Sequence, residues 1–264
     1  MNQLYLGINL VTVLFLVAVL LLVASKGQSG KSAAPYAAGG QDYNTNIRMV
    51  ITFPPRIIKL LDLSRDQKAQ LQAIVSRSER GLLSAEVEKL KAFPALQKAI
   101  INAAFDEGSV KQYQGELVAA SAKRVQVNVE MLAKMRKILT SEQVTRIRPE
   151  LPLEHNDYQL VVQIPDGFSA IGVSRDQELQ LQTVIHSRDQ EMIALSRKAQ
   201  AARIALEQAI FSERFDEAAV NQRREELIAV LSEQLEVNTG ILLDASKILT
   251  PEQLKRLDEM TPDQ

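Results

Sequence analysis

The chain contains no cysteine and no tryptophan, and among its 264 residues it has only two histidines. The missing thiols exclude disulfides, thiolate nucleophiles and cysteine-ligated zinc. Aromatic residues are scarce, at 5%. No strong excess of one charge exists, since the formal net charge is −1. A polyanion ligand needs a net basic footprint, so the composition argues against nucleic acid as a partner. No nucleophile–base pair, phosphate-binding loop or paired-carboxylate constellation stands out, and the chain reads as a non-enzyme with no cofactor.

What is abundant points to helices. The hydrophobic share is 46% and the charged share 24%, enough for a packed core, and Ala, Leu, Gln, Glu and Lys dominate. The charge is unevenly spread. Residues 56–150 carry 17 Lys/Arg against 11 Asp/Glu, a net +6, whereas residues 151–264 carry 11 against 20, a net −9.

Leu4–Ala24 holds no charged residue, and a helix of that length matches the hydrocarbon thickness of a bilayer. It reads as an uncleaved transmembrane signal-anchor over residues 1–24. A cleaved signal peptide is the competing reading, with Val23-Ala24-Ser25 as a poor cleavage site. Residues 25–46 are rich in Gly, Ser, Ala and Gln and read as a flexible linker. Read literally, Lys26 and Lys31 after the helix would hold the body in the cytoplasm.

The remainder repeats itself. Shifting the chain by 110 residues lays Leu63-Ser64-Arg65-Asp66-Gln67 over Val173-Ser174-Arg175-Asp176-Gln177, and Phe105-Asp106-Glu107 over Phe215-Asp216-Glu217. The phrase KILTSEQ at Lys137 falls over KILTPEQ at Lys247, and about a third of the aligned positions are identical. This predicts a first unit over 47–150 and a second over 151–264. Four helices are expected in each: near Arg56–Leu61, Arg65–Ala104, Glu107–Leu139 and Ser141–Arg148, and near Gly167–Ile171, Arg175–Arg214, Glu217–Leu249 and Pro251–Met260. Apolar positions at spacings of three and four, such as Leu181, Ile185, Met192, Leu195 and Ala199, give each long helix one narrow seam. Narrow seams suit antiparallel hairpins packed like coiled coils. Pro94 should kink its helix. Arg48–Phe53 and Tyr158–Ile164 look extended and are candidate short strands.

The repeated phrases read first as helix-starting devices. Ser64 with Gln67, Thr140 with Gln143, Ser174 with Gln177 and Thr250 with Gln253 each have capping-box spacing. Leu63, Leu139, Val173 and Leu249 precede the caps, and at the last turn of each unit Leu139 with Val144 and Leu249 with Leu254 fit a hydrophobic staple. Asp106 and Asp216 cap the second long helices, with Phe105/Val110 and Phe215/Val220 in the staple positions.

Candidate sites carry weaker patterns. His155, beside Glu154 and Asp157, and His186, with Asp189 three residues on, are the only histidine–carboxylate groupings, and no His-x-x-x-His pair supports a metal set. Met131 and Met135 could offer adaptable apolar surface or ordinary core. Arg77, Arg80, Lys123 and Arg124 could line a basic inner face or a solvated one. Asn128 and Asn238 lie on the seams, either buried to fix register or at a solvated edge.

Four L/V-[TS]-x-x-Q phrases around long helical hairpins, with an FDE phrase between the long helices, resemble the LTXXQ-motif family. That family includes Spy- and CpxP-like periplasmic chaperones and stress regulators, and related heavy-metal sensor and resistance proteins. The resemblance implies an all-α fold of curved hairpins that pair into a cradle for unfolded clients, in the periplasm. Relatives typically carry one unit, so this chain is expected to be two tandem Spy/CpxP-like hairpin units forming an intrachain pseudo-dimer. The expected setting is then the inner membrane, single-pass, with the helical body in the periplasm. Partners would be unfolded or stressed envelope proteins, or a membrane signalling protein; a structural spacer is the remaining reading.

Overall fold

A computed structural model describes residues 55–101, 105–151 and 171–260. The expected anchor at 1–24, the linker, both candidate strands and His155 lie outside the described residues. Among the described residues no helix is long and apolar enough to cross a membrane, and there are seven α-helices, one 3-10 turn and no strand. The fold class is all-α, as the composition and periodicity indicated.

In chain order the helices are α1 (Pro55–Leu61), α2 (Arg65–Ile101), α3 (Glu107–Ile138) and α4 (Ser141–Ile147), followed by a 3-10 turn at Arg148–Glu150, then α5 (Arg175–Ile210), α6 (Glu217–Ser246) and α7 (Pro251–Met260). Helices α2 and α3 form hairpin 1, and α5 and α6 form hairpin 2. The base of each hairpin is its end near the short helices, and the tip is the turn between its long helices. Helices α3, α5 and α6 stop one to four residues earlier than the periodicity alone suggested. At the tip of hairpin 2 the backbone leaves the helix at Phe211, because Asp216 must adopt the extended conformation of a cap.

Burial follows the helical period. In α2 the buried positions include Leu71, Val75, Ser78, Ala85, Ala92, Leu96 and Ile100, all steps of three, four or seven that keep one stripe facing α3. The helix continues through Pro94. Gly81 lets α2 and α3 approach closely, since a Cβ there would stand 3.0 Å from Cγ2 of Val127. The turn into each first long helix needs one left-handed residue. It is Gly172 in hairpin 2, at φ 75°, and Asp62 at the corresponding place in hairpin 1, at φ 44°.

Three apolar clusters hold the body together. The largest mixes both hairpins: Ile57, Leu61, Leu71 and Met135 from the base of hairpin 1 meet Ile210, Phe211, Val220 and Leu227 from the tip of hairpin 2. A second places Leu96, Ile100, Val110 and Leu117 of the hairpin 1 tip against Leu235 of α6. The third, around Ile171, Leu181, Ala245 and Leu249, closes the base of hairpin 2. The hairpins therefore lie antiparallel, base against tip, with α3 alongside α6. Each fully buried Leu, Ile or Phe is worth about 1.5–3 kcal/mol relative to exposure, so a core shared in this way ties the hairpins into one packed body.

Candidate binding surface

The repeated phrases are built for structure, and they do more than start helices. Thr140 Oγ1 accepts from the Gln143 amide at 3.2 Å, and Gln143 Oε1 accepts from the Thr140 amide at 2.9 Å. The same reciprocal pair joins Ser64 with Gln67, Ser174 with Gln177 and Thr250 with Gln253. Each glutamine then uses its amide nitrogen in a second role. Gln67 Nε2 donates to the Ile138 carbonyl at 2.9 Å and to Gln143 Oε1 at 2.7 Å. Gln143 Nε2 donates to the Leu61 carbonyl at 2.9 Å, and its 3.1 Å contact with Gln67 Oε1 completes the pairing. In hairpin 2 Gln177 reaches the Ile248 carbonyl and Gln253 reaches the Gly172 carbonyl, both at 2.9 Å, and the two side chains pair with each other. Two capping boxes thus become one clasp at each base, satisfying the orphan groups of a helix start and a helix end together.

A capping box accepts Glu or Gln at its third position, but only the amide has donors left for the neighbouring carbonyl. All four positions here are glutamine. That uniformity was the sequence signal for the clasp, and the capping argument alone does not use it.

Asp106 and Asp216 cap α3 and α6 as expected. Asp106 accepts from the Gly108 and Ser109 amides at 3.1 and 3.0 Å. A bond from the Ser109 hydroxyl and those two amide bonds hold its carboxyl below the ordinary Asp value. At the staple positions Phe215 packs against the shared core that includes Val220, whereas Phe105 is 51% exposed.

The charged candidates are drawn into helix-to-helix contacts. Lys123 Nζ donates to Glu88 at 2.5 Å and to Ser84 at 2.9 Å, and Arg124 lies 3.7 Å from Glu86. Lys123 and Arg124 are therefore crosslinks within hairpin 1 and not an open basic face, while Arg77 and Arg80 are exposed. Met131 and Met135 are 5% and 1% exposed inside the shared core, so packing accounts for both and neither offers client surface. Asn238 is buried at 1%, and its counterpart Asn128 is half-buried.

His186 is exposed, and its Nδ1 donates to the Gln182 carbonyl at 2.6 Å. Asp189 is half-buried nearby in sequence. Among the described residues no three His, Asp or Glu side chains gather into a metal set. The carboxylates around hairpin 2 are used otherwise: Glu191 meets Arg188, Glu226 meets Arg223, Glu233 meets Lys198 and Asp244 meets Lys247. Among the described residues His186 therefore lacks the set of three donors that a selective heavy-metal site needs.

Several large apolar side chains also remain on the surface. Leu83, Val87 and Leu90 on α2 are 64%, 45% and 56% exposed, Leu179 and Ile193 on α5 are 55% and 37%, and Phe105 lies at the tip of hairpin 1. The exposed residues on α2 and α5 come from the first long helix of each hairpin. Periodicity arguments concentrate on the buried stripe and pass over such residues.

No curated protein and no solved structure was found to match the chain. Residues 168–256 match the sequence model of a family described as heavy-metal resistance, which is related to the Spy/CpxP-like LTXXQ proteins, so the similarity covers hairpin 2 with its capping phrases and about a third of the chain.

Proposed function

We propose that the chain is a noncovalent binding protein of the Spy/CpxP-like type, an ATP-independent chaperone or envelope-stress adaptor whose body works in the periplasm. Residues 4–24 would tether it to the inner membrane. The observation that carries this reading is the set of large apolar side chains left exposed on α2, α5 and the hairpin 1 tip. Exposed leucine, isoleucine and phenylalanine next to charged residues suit transient contact with unfolded chains, which offer both kinds of group.

The test is aggregation suppression with an unfolded client at stoichiometric ratio. The chain is expected to keep the client soluble, and Leu179→Ser with Ile193→Ser and Phe105→Ser is expected to weaken that protection. No protection at stoichiometric excess overturns the reading. A C-terminal phosphatase fusion tests the compartment, and it should be active if the body is periplasmic.

The family match favours a second reading, a heavy-metal or envelope-stress sensor acting on a membrane signalling partner. Titration of the full chain with zinc, nickel or copper separates the two. Micromolar or tighter binding that needs His186 would support the sensor, against the donor geometry described above.

A further inference from the structure

Leu83, Val87 and Leu90 form a row with spacings of four and three. Those are the d, a and d positions of a heptad. The row lies on the side of α2 away from Ala85 and Ala92, which are 1% and 3% exposed against the hairpin core. Its flanks carry opposite charges: Glu86 takes the g position and Lys91 the e position of the next heptad. Glu86 is 41% exposed beside Lys89 and Arg124, and Lys91 is exposed.

These features select both an occupant and an orientation. We propose that a second copy of this chain docks on the row, α2 against α2, parallel and in register. In that arrangement Val87 meets Val87, Leu83 meets Leu83 and Leu90 meets Leu90. Each Glu86 then stands beside Lys91 of the other copy, twice by symmetry, because g pairs with e′ five residues on in a parallel pair. An antiparallel pair that stacks Leu83 on Val87 sets Glu86 against Glu86. The corresponding positions of hairpin 2 are Ile193, Arg197 and Gln200, and Arg197 and Gln200 break the seam. The contact is therefore confined to hairpin 1 and closes as a twofold dimer without propagating into a filament. Three apolar positions are a short seam, but the hairpin already holds α2 helical, so pairing does not bear the cost of ordering it. The client reading then gives up the α2 row and rests on Leu179, Ile193 and Phe105, which a dimer leaves exposed on each copy.

The absence of cysteine gives a clean test on the full chain in mild detergent. Val87→Cys is expected to form a disulfide-linked dimer on mild oxidation, more completely than an equal mixture of Leu83→Cys and Val87→Cys chains forms mixed dimers. Light scattering should give a dimer mass for the parent and a monomer mass for the triple change Leu83→Ser, Val87→Ser, Leu90→Ser, with an unchanged helical spectrum. Glu86→Lys should weaken pairing roughly tenfold, and adding Lys91→Glu should restore it. Preferential mixed cross-linking overturns the parallel orientation. A monomeric Val87→Cys chain that cross-links only to added client overturns the dimer and assigns the row to clients. Loss of client protection with cross-linking intact sinks the proposed function alone, and the reverse result sinks this pairing alone.

Discussion

The tips of the two hairpins start from the same phrase and end in different environments. Phe105-Asp106-Glu107 and Phe215-Asp216-Glu217 place the same three residues at the turn and cap of the second long helix. At hairpin 2 the turn is gripped by hairpin 1. Arg136 donates to the Ser212 and Glu213 carbonyls at 2.7 and 3.0 Å, its guanidinium sits 5.6 Å from the centroid of the Phe215 ring, and Arg148 meets the Glu213 carboxylate at 2.8 Å. Under the 110-residue offset, Arg136 corresponds to Ser246 and Arg148 to Asp258, so hairpin 2 has no arginine at either corresponding position. Phe105 stays exposed. Identical local sequence fixes the cap, while residues 65 or more positions away decide whether the tip is covered.

The middles of the hairpins show the opposite lesson. Hairpin 1 joins its helices through Glu88 on α2 and Lys123 on α3, and hairpin 2 through Lys198 on α5 and Glu233 on α6, at 2.7 Å. The positions correspond and the signs are exchanged. The contact is kept though neither residue is.

The sharpest way to break the comparison is at the phenylalanines. Phe211 is fully buried in the shared core, and Phe211→Ala should cost about 3–5 kcal/mol in denaturant unfolding, whereas Phe105→Ala should leave the midpoint nearly unchanged. Next comes the clasp. Gln143→Glu keeps the acceptor of the capping box and removes the donor to the buried Leu61 carbonyl, so a loss of about 1–3 kcal/mol is expected. A loss no larger than that from Thr140→Ala would mean that the clasp adds nothing to the cap. Arg136→Met keeps the stem and removes the two carbonyl bonds and the ring contact. It should cost about 1–2 kcal/mol and raise hydrogen exchange at the hairpin 2 tip before it affects hairpin 1.

The smallest effect concerns the exchanged pair. Lys123→Glu sets like charges together, and adding Glu88→Lys should restore the parent melting temperature by reproducing the hairpin 2 arrangement. The bond to Lys123 holds the Glu88 carboxyl below its ordinary value. Its contribution is therefore complete above the unfolded Glu value and fades as pH falls through the lower folded one. The melting difference between parent and Lys123→Glu should shrink as the solution is acidified.

Much of the fold was legible in the residues. Capping boxes at Ser64, Thr140, Ser174 and Thr250 and the seams around Leu71 and Leu181 place the starts of the long and final helices, because caps and periodicity act within a few residues. The helix end at Ile210 was less legible, since the stop is set by the cap of the following helix. The surface was the least legible part. Met131 and Met135 could read as binding surface until the facing hairpin covered them, and Leu83, Val87 and Leu90 have the composition of a core without its position.

The sequence by itself determined where each helix begins, which stripe of it is apolar and that each base carries a matched pair of glutamines, because these follow from hydrogen-bond geometry over three or four residues. Only the tertiary structure decided that the glutamines cross between helices, that Phe211 is buried while Phe105 is open, and that the row on α2 faces outward. Those outcomes depend on which distant side chain, such as Arg136 or Leu61, the packing of two hairpins brings within reach.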